Sequence, residues 1–179
     1  GKGELSQLSY KVNLNEALYF GSPILVETGS KLQLHEDVIP LKGRFEVDWK
    51  TDVPQDLNHS SVYLDGRNPK YVGGEWYSEG IQFKPKEFGT YMILSDNEEP
   101  TIRPRLVNSQ NLQFTIADKL SGIKSIECFV NKEWVKMEYE YKNGLISSEK
   151  LDNSKPFEGE VDLYVTDNAN NKAQYSSKL

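Results

Sequence analysis

Apolar and polar residues alternate with a period of two along most of this chain. In Arg44-Phe45-Glu46-Val47-Asp48-Trp49-Lys50, the three apolar side chains fall on one face and the four charged ones on the other, which predicts a half-buried strand. Leu112-Gln113-Phe114-Thr115-Ile116, Met137-Glu138-Tyr139-Glu140-Tyr141 and Val161-Asp162-Leu163-Tyr164-Val165 repeat the pattern. Shorter candidates are Ile24 to Val26, Lys31 to Leu34, Val62 to Leu64, Ile81 to Phe83, Tyr91 to Leu94, Ile126 to Val130 and Ala173 to Tyr175. No stretch has the 3.6-residue period and the length of a helix.

Turn residues separate these runs at intervals of roughly 8 to 15 positions, the spacing of sandwiches rather than of strand-helix repeats. Lys142-Asn143-Gly144 is the strongest turn, because Asn-Gly accepts the positive φ of a tight hairpin. Asn131-Lys132 is expected to turn the Cys128 strand into the Trp134 strand, while Asp65-Gly66-Arg67-Asn68-Pro69, Gly73-Gly74 and Phe88-Gly89 mark loops. Asp96-Asn97-Glu98-Glu99-Pro100 is a polar run that leads into Thr101-Ile102-Arg103-Pro104. Two prolines so placed predict a short, stiff connector. The expectation is two domains, 1–98 and 99–179, each an immunoglobulin or fibronectin III-like β-sandwich. Phe114, Ile126, Trp134, Leu163 and Val165 are the expected core of the second.

Composition and charge narrow the functional classes. Of 179 residues 37% are hydrophobic, with ten Tyr and three Trp, a share that suits well-solvated sheets. The net charge is −6 and the sequence pI about 5.1. Residues 1–98 hold 10 basic and 15 acidic side chains and 99–179 hold 11 and 12. Neither half has a basic stripe, so nucleic acid is not an expected partner. No run of about 18 apolar residues is present, so no membrane-spanning segment is expected. The start, Gly1-Lys2-Gly3, has no charged-then-apolar leader and leaves a removed secretion signal open.

Candidate chemistry is sparse. The chain has two histidines, His35 and His59, and neither His-x-His nor His-Glu-x-x-His, so a zinc site with local ligand spacing is not expected. The lone Cys128 lies on the same face as Ile126 and Val130 and has no histidine in its own domain; it is expected to fill the core, not to act as a nucleophile. Asp167-Asn168-Ala169-Asn170-Asn171, with Asp118 nearby, offers several oxygens. A twelve-residue calcium loop with central glycine and final glutamate is absent, however, and Asx residues stabilise turns without any ion. Asp48, Asp52 and Asp56 are expected on a solvated face. No catalytic residue, metal or cofactor is therefore expected. The most suggestive loop is Tyr71-Val72-Gly73-Gly74-Glu75-Trp76-Tyr77. Tyr71, Trp76 and Tyr77 beside carboxylates could stack on sugar rings or anchor a protein, or could instead cap the end of the first sandwich.

Several stretches, taken in order, resemble a known family. Phe88-Gly89-Thr90-Tyr91, Pro100 to Pro104, Asp118-Lys119-Leu120-Ser121-Gly122-Ile123-Lys124, Asn131 to Val135, Met137 to Glu140 and Val165-Thr166-Asp167-Asn168 resemble the non-catalytic C-terminal region of lysostaphin-like zinc metallopeptidases of Gram-negative bacterial envelopes. A weaker likeness runs through Ala17-Leu18-Tyr19, Pro40-Leu41, Asp65-Gly66 and Gly73-Gly74-Glu75. The chain departs at Glu133, where the family has glycine-lysine before the tryptophan. The family's peptidase motifs, His-x-x-x-Asp and His-x-His, have no counterpart. The resemblance implies a non-enzymatic, extracytoplasmic region that spaces or targets an envelope peptidase at the cell wall. The alternative is a stand-alone adhesion or glycan-binding module using the Tyr71 to Tyr77 loop. Expected partners are peptidoglycan, a glycan or another envelope protein.

Overall fold

The computed structural model describes residues 9–11, 25–28, 31–34, 43–150 and 154–179, with side chains from Lys31 onward. His35, Ala17-Leu18-Tyr19, Pro40-Leu41 and Gly1-Lys2-Gly3 lie outside the described residues. The protein is all-β, and no helix occurs among the described residues; accordingly none is long and apolar enough to cross a membrane. The chain divides into two compact units, Gly1–Asp96 and Asn97–Leu179.

Among its described residues the second unit has eight strands, β10 (Thr101–Val107), β11 (Leu112–Ala117), β12 (Ile123–Val130), β13 (Glu133–Val135), β14 (Met137–Glu140), β15 (Leu145–Ser148), β16 (Glu160–Asp167) and β17 (Lys172–Lys178). One sheet runs β10-β11-β15-β14 and the other β13-β12-β16-β17, all antiparallel. This is the A-B-E-D and C′-C-F-G order of the immunoglobulin sandwich. Alternation builds the core: Leu112, Phe114, Ile116 and Ile146 from one sheet meet Cys128, Val130, Val161, Leu163 and Val165 from the other. Ile126 packs against this cluster and is half-buried.

Three expectations need correction here. The proline-bracketed stretch is not a connector, because Thr101–Val107 is itself the first strand, paired with β11. Its edge position tolerates Pro104, which has no N–H to give to a ladder, and the register shifts between Pro104 and Leu106. The tight two-residue turn is Asn131-Lys132, with φ of 50° and 68° and Val130 opposite Glu133, the signature of a type I′ hairpin. Asn143-Gly144 instead belongs to a four-residue loop, since Glu140 faces Leu145, and only Gly144 there has positive φ. Finally, Trp134 is not in the core. Directly opposed residues share a face of a sheet. Cys128 faces Val135 and Val130 faces Glu133, so Trp134 stands with Phe129 on the outer face and is 63% exposed.

The first unit has β1 (Ser9–Lys11), β2 (Leu25–Thr28), β3 (Lys31–Leu34), β4 (Glu46–Lys50), β5 (Ser60–Leu64), β6 (Lys70–Gly73), β7 (Glu75–Tyr77), β8 (Gly80–Phe83) and β9 (Gly89–Ser95). Its sheets are β1-β4-β8-β7 and β2-β3-β9-β5-β6. Val47, Trp49, Ile81 and Phe83 of the first pack with Leu32, Leu34, Val62 and Tyr91 of the second, and Phe45 backs the cluster as its alternation requires. The order matches that of the second unit with two changes, the first being that β2 adds a fifth strand outside β3. In the second, the last strand position, beside β9, is filled by β3 from early in the chain, and not by a segment that follows β9.

Candidate functional site

The loop of Tyr71, Trp76 and Tyr77 turns out to be a change of sheet. Gly73 and Gly74 carry the chain from β6 in one sheet to β7 in the other. Gly74, at φ 144°, lies so close to Ile81 that a Cβ there would fall 2.7 Å from its Cδ1. A side chain has no room. Tyr71 therefore lies in one sheet and Trp76 and Tyr77 in the other, and the three do not form one surface.

Each of the three has work within its own unit. Tyr71 packs edge-on against Tyr63, with ring centroids 5.5 Å apart. Trp76 faces the same way as buried Ile81 and packs on the core, and its indole N–H donates to the carbonyl of Ser60 at 2.7 Å. Ser60 opens β5, so this bond ties the two sheets together. Tyr77, one position on, points outward. Its hydroxyl donates to Asp48, and the Lys50 ammonium stands 4.6 Å from its ring centroid, a cation–π geometry. Burial and the Asp48 carboxylate push the Tyr77 hydroxyl up from its ordinary value. Hydrogen bonding to Tyr77 and then to Glu79 raises the Lys50 ammonium.

His59 Nδ1–H donates a 2.8 Å hydrogen bond to Asp56 Oδ2, and that bond holds the Asp56 carboxyl below its ordinary range. The two are three residues apart, a local pair in an exposed turn. Cys128 is fully buried, and burial pushes its thiol to about 11, far from the range of a nucleophile at neutral pH.

The oxygen-rich segments of the second unit form a clasp between two loops. Asp118 Oδ2 accepts from the backbone N–H groups of Leu120 (3.0 Å) and Gly122 (2.7 Å), which folds Leu120-Ser121-Gly122 into a tight turn. Asn168 Nδ2 then donates to the carbonyls of Ser121 (2.9 Å) and Gly122 (3.1 Å), and Gly122 also accepts from the Asn168 backbone at 2.9 Å. Asp167 uses both carboxylate oxygens on Asn171, at 2.8 Å each. Lys124 reaches Asn170 Oδ1 at 2.7 Å. The Asp-x-Leu-Ser-Gly-Ile-Lys and Thr-Asp-Asn words thus form one joint at the end of the sandwich.

Sequence reasoning missed a groove beside Trp134. It has a volume of about 570 Å³ and is lined by residues 130, 131 and 133–136 of the β12–β13 edge with Glu149, Lys150 and residues 155–158. Its walls are fixed: Lys150 donates to the carbonyls of Ser109 (2.9 Å) and Lys155 (2.8 Å) and sits 4.4 Å over the Phe157 ring. Phe157 N–H donates to Ser109 at 2.6 Å, and Lys136 pairs with Glu149. The hairpin register is the signal that could have found it, because it sends Trp134 outward. No family model, curated protein or solved structure matches the chain.

Proposed function

We propose that this chain is a non-catalytic accessory region of a bacterial envelope peptidase, acting outside the cytoplasm to space the enzyme from the cell wall or to target it there. The supporting observation is the place of the residues that carry the resemblance. Asp118, Gly122, Asp167 and Asn168 are spent on backbone hydrogen bonds of the clasp. Thr101 to Pro104 is an edge strand, and Asn131 to Val135 is a hairpin turn and its edge strand. The ordered words encode a rigid sandwich, the part a multidomain enzyme uses to hold and present another domain. In the stand-alone adhesion reading, Trp76 and Tyr77 would have to bind while keeping their bonds to Ser60 and Asp48.

The test starts with the coding sequence upstream, where an in-frame zinc peptidase with His-x-x-x-Asp and His-x-His is expected. In that polypeptide, removing residues 1–179 should lower hydrolysis of insoluble wall sacculi by roughly tenfold or more, the scale of a lost tethering effect, and leave hydrolysis of a soluble peptide unchanged. Equal losses on both substrates, or none on either, would sink the proposal.

A further inference from the structure

One open aromatic surface of the second unit, that of Trp134, lines a groove. Trp134 is 63% exposed, and among the described residues no ring or cation covers it, whereas the Phe157 ring in the same groove is occupied by Lys150. An indole held in the open on a two-residue hairpin costs hydration and returns nothing to the core. A groove of about 570 Å³ falls within the size range of small-ligand clefts.

We propose that this groove binds a glycan, a neutral sugar chain with one ring stacked on the Trp134 indole. The charges of the lining select that class. Lys136, Lys150 and Lys155 are matched one for one by Glu133, Glu149 and Glu158, so neither an anionic nor a cationic polymer gains from the field. Nucleic acid would need a positive channel beneath its stacked bases. The cores of protein interfaces are depleted in Lys and Glu, and six of the twelve lining residues here are Lys or Glu. A neutral saccharide fits both features. Its C–H face is apolar and flat enough to lie on an indole, and its hydroxyls each donate and accept, suiting a rim of carboxylate acceptors and ammonium donors. The groove is also preformed, with Lys150 and Phe157 anchored to Ser109, so little ordering cost attends binding.

This inference deepens the targeting half of the proposed function, in naming the sugar strand as what is recognised, and it is tested without any peptidase. The intact chain is titrated with chitotetraose and cellotetraose by calorimetry, and by acrylamide quenching of tryptophan fluorescence. Binding is expected with Kd on the order of 10⁻⁴ to 10⁻³ M, the range of about 4 to 5.5 kcal/mol, together with protection of Trp134 from the quencher. Trp134→Ala should weaken it by at least roughly tenfold, in line with the loss of one stacked ring, and Trp134→Phe should recover part of that loss. Trp76→Phe, a change in the first unit, should bind as the parent does. Thermal unfolding of every variant checks that the fold is intact. No binding of either saccharide at about 10 mM, an affinity far weaker than specific recognition, overturns the proposal. So does a Trp134→Ala protein that binds like the parent. Concentration-dependent self-association that Trp134→Ala abolishes and saccharide does not compete would overturn it in favour of a protein interface. A wall-targeting defect with intact saccharide binding would count against the proposed function alone.

Discussion

Lys132 occupies the left-handed region at φ 68°, directly after Asn131 at 50°. Asparagine tolerates that region, but lysine is strained there by about 1–2 kcal/mol, and a type I′ turn favours glycine at its second central position. The strain outweighs the extra chain entropy that a glycine loses on folding, about 0.5–1 kcal/mol. Lys132→Gly is therefore expected to stabilise the protein by about 0.5–1 kcal/mol, read as a higher urea midpoint at unchanged slope. Cys128 gives the pH prediction. Its thiol is raised from 9.0 to about 11, first by burial and then by the nearby Asp162 carboxylate. The folded state holds this proton more tightly than the unfolded chain does. The contribution to stability is thus whole below pH 9.0 and is lost as pH rises through about 11. The measurement is denaturant unfolding from pH 8 to 11 against Cys128→Ala, which should lose less stability across that window. At pH 8 the native thiol should not react with a disulfide reagent until denaturant is added.

A strand's register decides what its residues can do, and Phe114 and Trp134 of the second unit show it. Phe114 is fully buried on β11 and Trp134 stands outside on β13. Phe114→Ala should cost about 3–5 kcal/mol through lost contacts and a cavity, and Trp134→Ala should stay within about 0.5 kcal/mol of the parent; urea unfolding of the two variants compares them. A large cost for Trp134→Ala would mean the hairpin register is wrong. Much of this was legible from alternation, which gives the core positions of β4, β11 and β16 directly. The outward place of Trp134 was legible too. Cys128 and Val130 inward, followed by a two-residue turn, fix residue 134 on the outer face, yet the size of an indole argues for the core when register is ignored. The clasp was not legible, because it depends on Asn168 reaching carbonyls 47 and 46 positions earlier. Local pattern says that both segments turn, and only the folded sandwich sets them side by side. The groove was hidden for the same reason, as was the role of Gly73-Gly74, which alternation marks as a loop without saying that the chain changes sheets there.

Across the whole molecule, each unit encloses its own core from its own two sheets. A fragment of residues 97–179 is expected to unfold cooperatively by itself, with a midpoint close to that of its transition in the intact chain; a broad, non-cooperative melt would show that the second core depends on the first. The units differ in how their sheets close. In the second, the sheet edge beside β16 is taken by β17, the next strand along. In the first, the corresponding place beside β9 is held by β3, and Leu32 meets Tyr91 roughly sixty residues later, a non-local pairing of the kind that slows folding. During synthesis, Lys31–Leu34 leaves the ribosome well ahead of its partner. It must wait with an apolar face and unpaired backbone groups while the intervening strands are made. That interval leaves the amino-terminal hairpin open to chaperones or to a neighbouring nascent chain, and the order of synthesis thereby becomes part of how this half of the protein avoids aggregation.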